Sequence, residues 1–97
     1  MSAFVIATVK IKNPEKFQEY LQGLGPTLSA FGGESVARGQ IVDAFIGTAD
    51  HNMAAVVAFK DSEQATAWYT SDAYQALTSI REEAADVTLT LYAAPPA

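Results

Sequence analysis

Seven consecutive residues, Met53–Phe59 (M-A-A-V-V-A-F), are apolar without a break. Alternate residues of a strand point to opposite sides of a sheet, so Met53, Ala55, Val57 and Phe59 line one face and Ala54, Val56 and Ala58 the other. A strand apolar on both faces must be covered on both. A chain of 97 residues has a modest core, burying only about two-thirds of the surface it exposes when unfolded. Helices of the same chain can cover one face, and the other calls for a second subunit. The composition agrees: 49% hydrophobic and 18% charged residues leave little charge to wet the surface of a small monomer.

The flanking segments supply the rest of a sheet and its helices. Phe4–Ile11 reads as a strand whose Val5, Ala7, Val9 and Ile11 are all apolar, whereas Phe4, Ile6, Thr8 and Lys10 pass from apolar to polar. Asn13-Pro14-Glu15 is a helix start, with Asn as N-cap, Pro in the first turn and an acid near the positive end of the dipole. Phe17, Tyr20, Leu21, Leu24, Leu28 and Phe31 follow at helical spacing; Gly23 and Gly25-Pro26 predict a kink or two helical pieces, and Gly32-Gly33 the end. Glu34–Ala37 and Ile41–Ile46 read as two short strand pieces broken at Arg38-Gly39-Gln40, and Gly47–Asn52 as a turn. After the apolar strand, Asp61 with Gln64 gives one helix start, and Ser71 or Asp72 a second. Two consecutive helices bent near Ser71 are expected, the second with Tyr74, Leu77 and Arg81 on one stripe. Val87–Tyr92 alternates cleanly, with Val87, Leu89 and Leu91 inward.

This order, strand-helix-strand-strand-helix-strand, is the ferredoxin-like βαββαβ arrangement: an α+β fold with a four-stranded antiparallel sheet and both helices on one face. One domain over residues 1–94 is expected, with 95–97 as an extended tail that Pro95-Pro96 keeps out of the sheet. The sheet face away from the helices would carry Phe4, Ile6, Thr8, Ala54, Val56, Ala58, Thr88, Thr90 and Tyr92. That set is too apolar for water, and two such faces packed together give a homodimer.

Charge and composition remove several functions. A net charge of −5 with no basic run speaks against nucleic acid, whose phosphates need cations. No Cys is present, which rules out disulfides and thiolate chemistry, and with a single His and no clustered carboxylates no metal site is expected. The first apolar run is too short to span a membrane, so a cytoplasmic protein without membrane contacts is expected.

Three stretches carry a family likeness: G-G-E-S-V-A-R-G (Gly32–Gly39), F-K-D-S-E-Q-A-T-A-W-Y-T-S-D-A-Y-Q-A-L (Phe59–Leu77) with Arg81, and N-P-E-K-F-Q-E-Y (Asn13–Tyr20). Together they resemble the bacterial family called domain of unknown function 1330, over nearly the whole chain. That family is similar to the dimeric α+β barrels, among them cofactor-independent monooxygenases, haem-degrading enzymes, muconolactone isomerases and stress-responsive proteins. The resemblance implies the fold and the dimer. The family itself has no settled activity. One departure stands out: where the family carries a Glu-Gly pair followed by an aromatic, this chain reads Ile46-Gly47-Thr48-Ala49.

The candidate site residues come from the same stretches. Aromatic residues at helical spacing more often build a core than hold a ligand, and Trp68 is read that way. The phenols of Tyr69 and Tyr74 are better ligand contacts, because a buried hydroxyl needs a partner. Arg38 and Arg81 are the only arginines; each either pairs with an acid on this acidic chain or holds a planar anion in a pocket. His51, in a polar turn, is either solvated or a proton carrier. The expected pocket lies between sheet and helices, with Ala54, Ala58 and Thr88 leaving room and Arg38, Tyr69, Tyr74 and Arg81 as polar contacts. Two functions stay open. One is a cofactor-independent monooxygenase- or isomerase-like activity on a small aromatic or enolisable molecule, with Arg81, Tyr74 or His51 as catalytic candidates and no cofactor. The other is a non-catalytic ligand-binding or stress-related dimer.

Overall fold

The computed structural model describes residues 2–95. Its elements run β1 (Ala3–Ile11), α1 (Pro14–Ala30), β2 (Glu34–Gln40), β3 (Met53–Phe59), α2 (Ser62–Thr70), α3 (Asp72–Gln75), α4 (Thr78–Ala84) and β4 (Ala85–Ala93). The strands form one antiparallel sheet in the order β2-β3-β1-β4, so the α+β, ferredoxin-like reading holds. Of the tail expected at 95–97, residues 96–97 lie outside the described residues.

The core lies where strand parity requires it. Val5 and Val9 of β1 and Phe59 of β3 pack with Phe17 and Tyr20 of α1 and with Ala65, Trp68, Tyr74 and Ala84 of the later helices. The opposite parity forms the outer face, where the register partners Phe4 and Tyr92 stack with ring centroids 5.3 Å apart. No described helix is long and apolar enough to cross a membrane.

The caps follow the sequence closely. Asn13 accepts from the Lys16 N–H (3.2 Å), Asp61 from Gln64 N–H (2.8 Å) and Ser71 from Tyr74 N–H (3.2 Å), each satisfying a donor that the first helical turn leaves free. At the other end of α1, Gly32 takes φ +72. Its N–H bonds to Ser29 O, and that of Gly33 to Leu28 O, a closure for which glycine carries no steric cost.

Three elements depart from expectation. First, of the kink or two helical pieces expected, α1 is not two pieces: it runs as one helix through Pro26. Gly25 and Pro26 are exposed, so water can satisfy the carbonyl that proline leaves without a donor. Second, the hairpin strand is continuous through Arg38-Gly39-Gln40, with a register shift between Ser35 and Ala37, and Ile41–Ile46 is not a strand. Its backbone has nothing to pair with, because β3 begins at Met53, opposite Gln40. Third, the stretch after Ser71 breaks once more, at Ala76-Leu77, where the Leu77 N–H bonds to Tyr74 O three residues back. A Cβ on Gly23 would come within 2.7 Å of the Leu77 side chain. Gly23 therefore lets α1 approach this turn closely.

Candidate functional site

A cavity of about 310 Å³ opens between the helices and the β4 side of the sheet. Val5, Val87, Leu89 and Leu91 form its floor, Ala65, Thr66, Trp68 and Tyr69 of α2 its roof, and Arg81 of α4 stands in its wall. Helix-side parity places the floor residues, and the bend at Ser71 swings α4 back so that Arg81 meets the cavity. Arg81 is the lone cation of this apolar lining.

Arg81 is held from behind. Its Nη1 donates to the Tyr74 hydroxyl (3.0 Å), which also lies 3.0 Å from the Tyr20 hydroxyl. The guanidinium carbon sits 5.7 Å from the centre of the Tyr74 ring, within cation–π range. Among the described residues no carboxylate lies within 4.0 Å of Arg81; the ion pairs are Lys12–Asp86 and Lys16–Glu83, both exposed. Burial works against the Arg81 charge, but the hydrogen bond and the negative potential of the Tyr74, Tyr20 and Tyr69 phenols leave its pKa raised. Burial, then the bond to Tyr74, pushes the Tyr20 phenol well above its usual range. The result is a cation held by a phenol hydroxyl, with no carboxylate of the described residues within 4.0 Å of it.

The candidate residues separate into three places. Tyr69 lines the cavity with its ring partly exposed. Tyr74 is fully buried and lies beneath the lining. Its hydroxyl therefore positions Arg81 and offers nothing directly to a ligand. Trp68 is a core residue, 3% exposed; its Nε1 donates to Thr27 Oγ1 (3.0 Å), which donates to Leu24 O (2.7 Å). Arg38 stands on β2, at the opposite outer strand of the sheet, in a shallow depression with Gln40 and His51, and does not join Arg81.

His51 is half-buried and is nearer to Arg81 than the sequence suggests. Asn52 N–H bonds to Val9 O (3.1 Å), which draws the turn over the end of β1. His51 and Arg81 consequently line one polar depression with Lys12, Glu82 and Asp86. Ala54 and Thr88, register partners of Thr8, lie with Ala58 on the outer face and leave no room in the cavity. That room comes from Val5, Ala65 and Val87.

Two contributors escaped sequence reading. Tyr20 passes for one more apolar residue in the helix stripe, and Thr27 for a surface polar group. The available signal was chemical: a tyrosine or tryptophan on a buried face must find a polar partner. No spacing rule shows that the partners lie 54 and 41 residues away.

Among the described residues no group of His, Cys, Asp and Glu could hold a metal. The family model for domain of unknown function DUF1330 matches residues 2–94, and the chain belongs to that family. No curated protein matches the sequence. Solved structures do. A protein of unknown function from Rhodopseudomonas palustris superposes with a TM-score of 0.82 at 17% identity, over 98% of this chain and 83% of that one. SnoaB from Streptomyces nogalater, a cofactor-independent oxygenase, gives 0.70 at 8% identity, over 99% and 95%. A dimeric ferredoxin-like protein of unknown function from Jannaschia sp. CCS1 gives 0.74 at 10%, over 95% and 98%. At these identities the likeness is one of fold.

Proposed function

We propose that this chain, a member of the DUF1330 family, is a homodimer that holds a small planar anion, or a molecule that becomes one, against Arg81. One observation carries the reading: a guanidinium without a carboxylate partner stands in the wall of an otherwise apolar cavity. The cavity lining offers that cation no counter-charge of its own, and its forked donors suit a carboxylate, phenolate or enolate. The Tyr20–Tyr74 pair fixes the guanidinium before a ligand binds, so little ordering remains to be done on binding. The outer sheet face, bearing Phe4, Ile6, Val56 and Tyr92, would be the dimer contact; the Jannaschia protein of this fold is likewise dimeric.

The matching chemistry is that of an enolisable aromatic substrate. Arg81 stabilises the oxyanion left when a proton departs, and His51, which lines a depression with Arg81, takes that proton. Reprotonation at another carbon gives an isomerase. Reaction with dioxygen, which turns a methylene into a carbonyl with release of one water, gives a cofactor-independent oxygenase. A non-catalytic binding protein is the second reading, favoured by one feature: besides Arg81, Tyr69 is the only ionisable residue of the lining.

Titration calorimetry with salicylate, benzoate and naphthol, on wild type and Arg81→Gln, tests the site. Binding of at least one of the acids, weakened tenfold or more by the substitution, is expected. Equal affinity of both proteins would remove Arg81 from the reading. Oxygen uptake with an enolisable phenol then separates the enzyme from the binder.

A further inference from the structure

We propose that Thr66 holds a second oxygen of the ligand at the end of the cavity remote from Arg81, so that the site selects an aromatic anion bearing a hydroxyl or carbonyl far along its length from the charged group. The inference rests on the Arg81 reading above and narrows its ligand class.

The chain's connections set the two ends of the cavity. Helix α4 stops at Ala84 and leads straight into β4 at Ala85, which holds Arg81 over the start of that strand. Arg81 accordingly shares the polar depression with Ala85, Asp86, Val87 and Thr88. Helix α2 begins at Ser62, soon after Phe59, and Phe59 is level with Ala3 and Ala93 at the far end of β4. The helix then runs back along the sheet until the Tyr69 ring lies 5.7 Å from that of Tyr74, the residue that bonds to Arg81. Thr66 precedes Tyr69 by one turn on the same side of the helix, about 4.5 Å nearer the Leu91 end. Between the two ends the floor runs from Val87 through Leu89 to Leu91, four residue rises or roughly 13 Å.

The polar side chains of the lining thus differ in place. Arg81 closes one end, Tyr69 stands on the same side as Arg81, and Thr66 marks the other end. That other end is the open one: Thr66 is exposed, and Leu91 is 41% exposed although its parity turns it to the helix side. A helical threonine commonly turns its hydroxyl back onto a carbonyl of the preceding turn. Thr27 does so to Leu24 O (2.7 Å) and Thr70 to Thr66 O (2.9 Å). Among the described residues Thr66 makes no such bond, and its side chain lines the cavity.

A ring held by Arg81 alone can turn about its charged group. A few placed polar groups in an apolar pocket fix orientation, and a second contact at the Leu91 end fixes which edge of the ring faces the depression shared by His51 and Arg81. Proton transfer needs that orientation. An anion without the distal oxygen leaves Thr66 unmet and its ring free to turn.

Calorimetry with two pairs of probes tests the assignment: benzoate against 4-hydroxybenzoate, and 2-naphthoate against 6-hydroxy-2-naphthoate. Each pair is titrated into wild type, Thr66→Val and Tyr69→Phe. The readout is the ratio of affinities within a pair, so a uniform change of the cavity cancels. In wild type the hydroxylated member of at least one pair should bind about two- to tenfold tighter, the range for one net hydrogen bond. Thr66→Val should abolish that gain and Tyr69→Phe should keep it. Salicylate, whose hydroxyl lies beside its carboxylate, should keep the same ratio to benzoate in wild type and Thr66→Val. No gain in either pair, a gain that survives Thr66→Val or vanishes in Tyr69→Phe, or a salicylate ratio that shifts with residue 66 overturns the proposal. Arg81→Gln should weaken both members of a pair alike. Failure of the Arg81 reading therefore shows in the absolute affinities, and failure of the Thr66 assignment in their ratio.

Discussion

Two apolar stretches of this chain meet opposite fates. Between Asp61 and Arg81, the rings of Trp68 and Tyr74 are buried, and their polar atoms are bonded to Thr27, Tyr20 and Arg81. Between Ile41 and Asn52, Val42, Phe45 and Ile46 stand almost wholly in solvent, and the segment is tied by backbone hydrogen bonds only at its base, Ile41 N–H to Asn52 O and Asn52 N–H to Val9 O. Hydrophobicity does not distinguish them. Availability of a partner does. A helix satisfies its own backbone and needs only an apolar surface, which the sheet beneath provides. A strand needs an edge as well, and β3 offers one to β2 only as far as Gln40.

Substitutions in the two stretches should separate accordingly. Trp68→Ala has the largest expected effect, a loss of about 3–5 kcal/mol for a cavity in the core, with the Thr27 hydroxyl also losing a donor. Urea denaturation measures it, and a loss below about 1 kcal/mol would mean the ring is not packed as described. Tyr74→Phe keeps the ring but withdraws the hydroxyl shared by Tyr20 and Arg81, at a cost of about 1–3 kcal/mol. Ligand affinity should fall with it although Tyr74 touches no ligand, because Arg81 loses its support.

The buried phenol pair also sets a response to alkali. The Tyr20 pKa is raised in the folded protein, so its stabilising contribution is complete below the unfolded value, near about 10, and declines as pH rises beyond it. Stability should drop above about pH 10 by up to roughly 1.4 kcal/mol per pH unit. Tyr20→Phe should flatten that slope in denaturation curves taken between about pH 9 and 11, roughly one unit either side of the ordinary phenol value. An unchanged slope would show that another group is responsible.

Smallest is the effect of Phe45→Ser on the stability of an isolated subunit, expected within about 0.5 kcal/mol because the ring touches nothing there. A large loss of subunit stability would instead place the ring inside its own chain.

Much of this contrast is legible in the residues. Asn13, Asp61 and Ser71 announce three helix starts, because a cap needs only a side-chain oxygen and a backbone donor three residues on. The two-sided apolar run Met53–Phe59 names the central strand and the need for cover on both faces. The break at Ala76-Leu77 and the passage of α1 through Pro26 are not legible. Both depend on which carbonyls meet water and on how closely Gly23 lets α1 come to Leu77. The Ile41–Ile46 pattern is strand-like, yet pattern cannot reveal that β3 starts too late to receive it.

By itself, then, the sequence determines the order of elements, their caps and the parity of each strand, because these rest on contacts a few residues apart. It also offers Arg38, Tyr69, Tyr74 and Arg81 as polar contacts, with His51 as a further candidate, without saying which of them meet. Tertiary structure alone decides that Tyr20, Tyr74 and Arg81 form one hydrogen-bonded line, that Arg38 stands at the far side of the sheet, and that His51 shares a depression with Arg81. Those relations join residues tens of positions apart, and only the packing of α1, α4 and the turn before β3 against one sheet sets their distances.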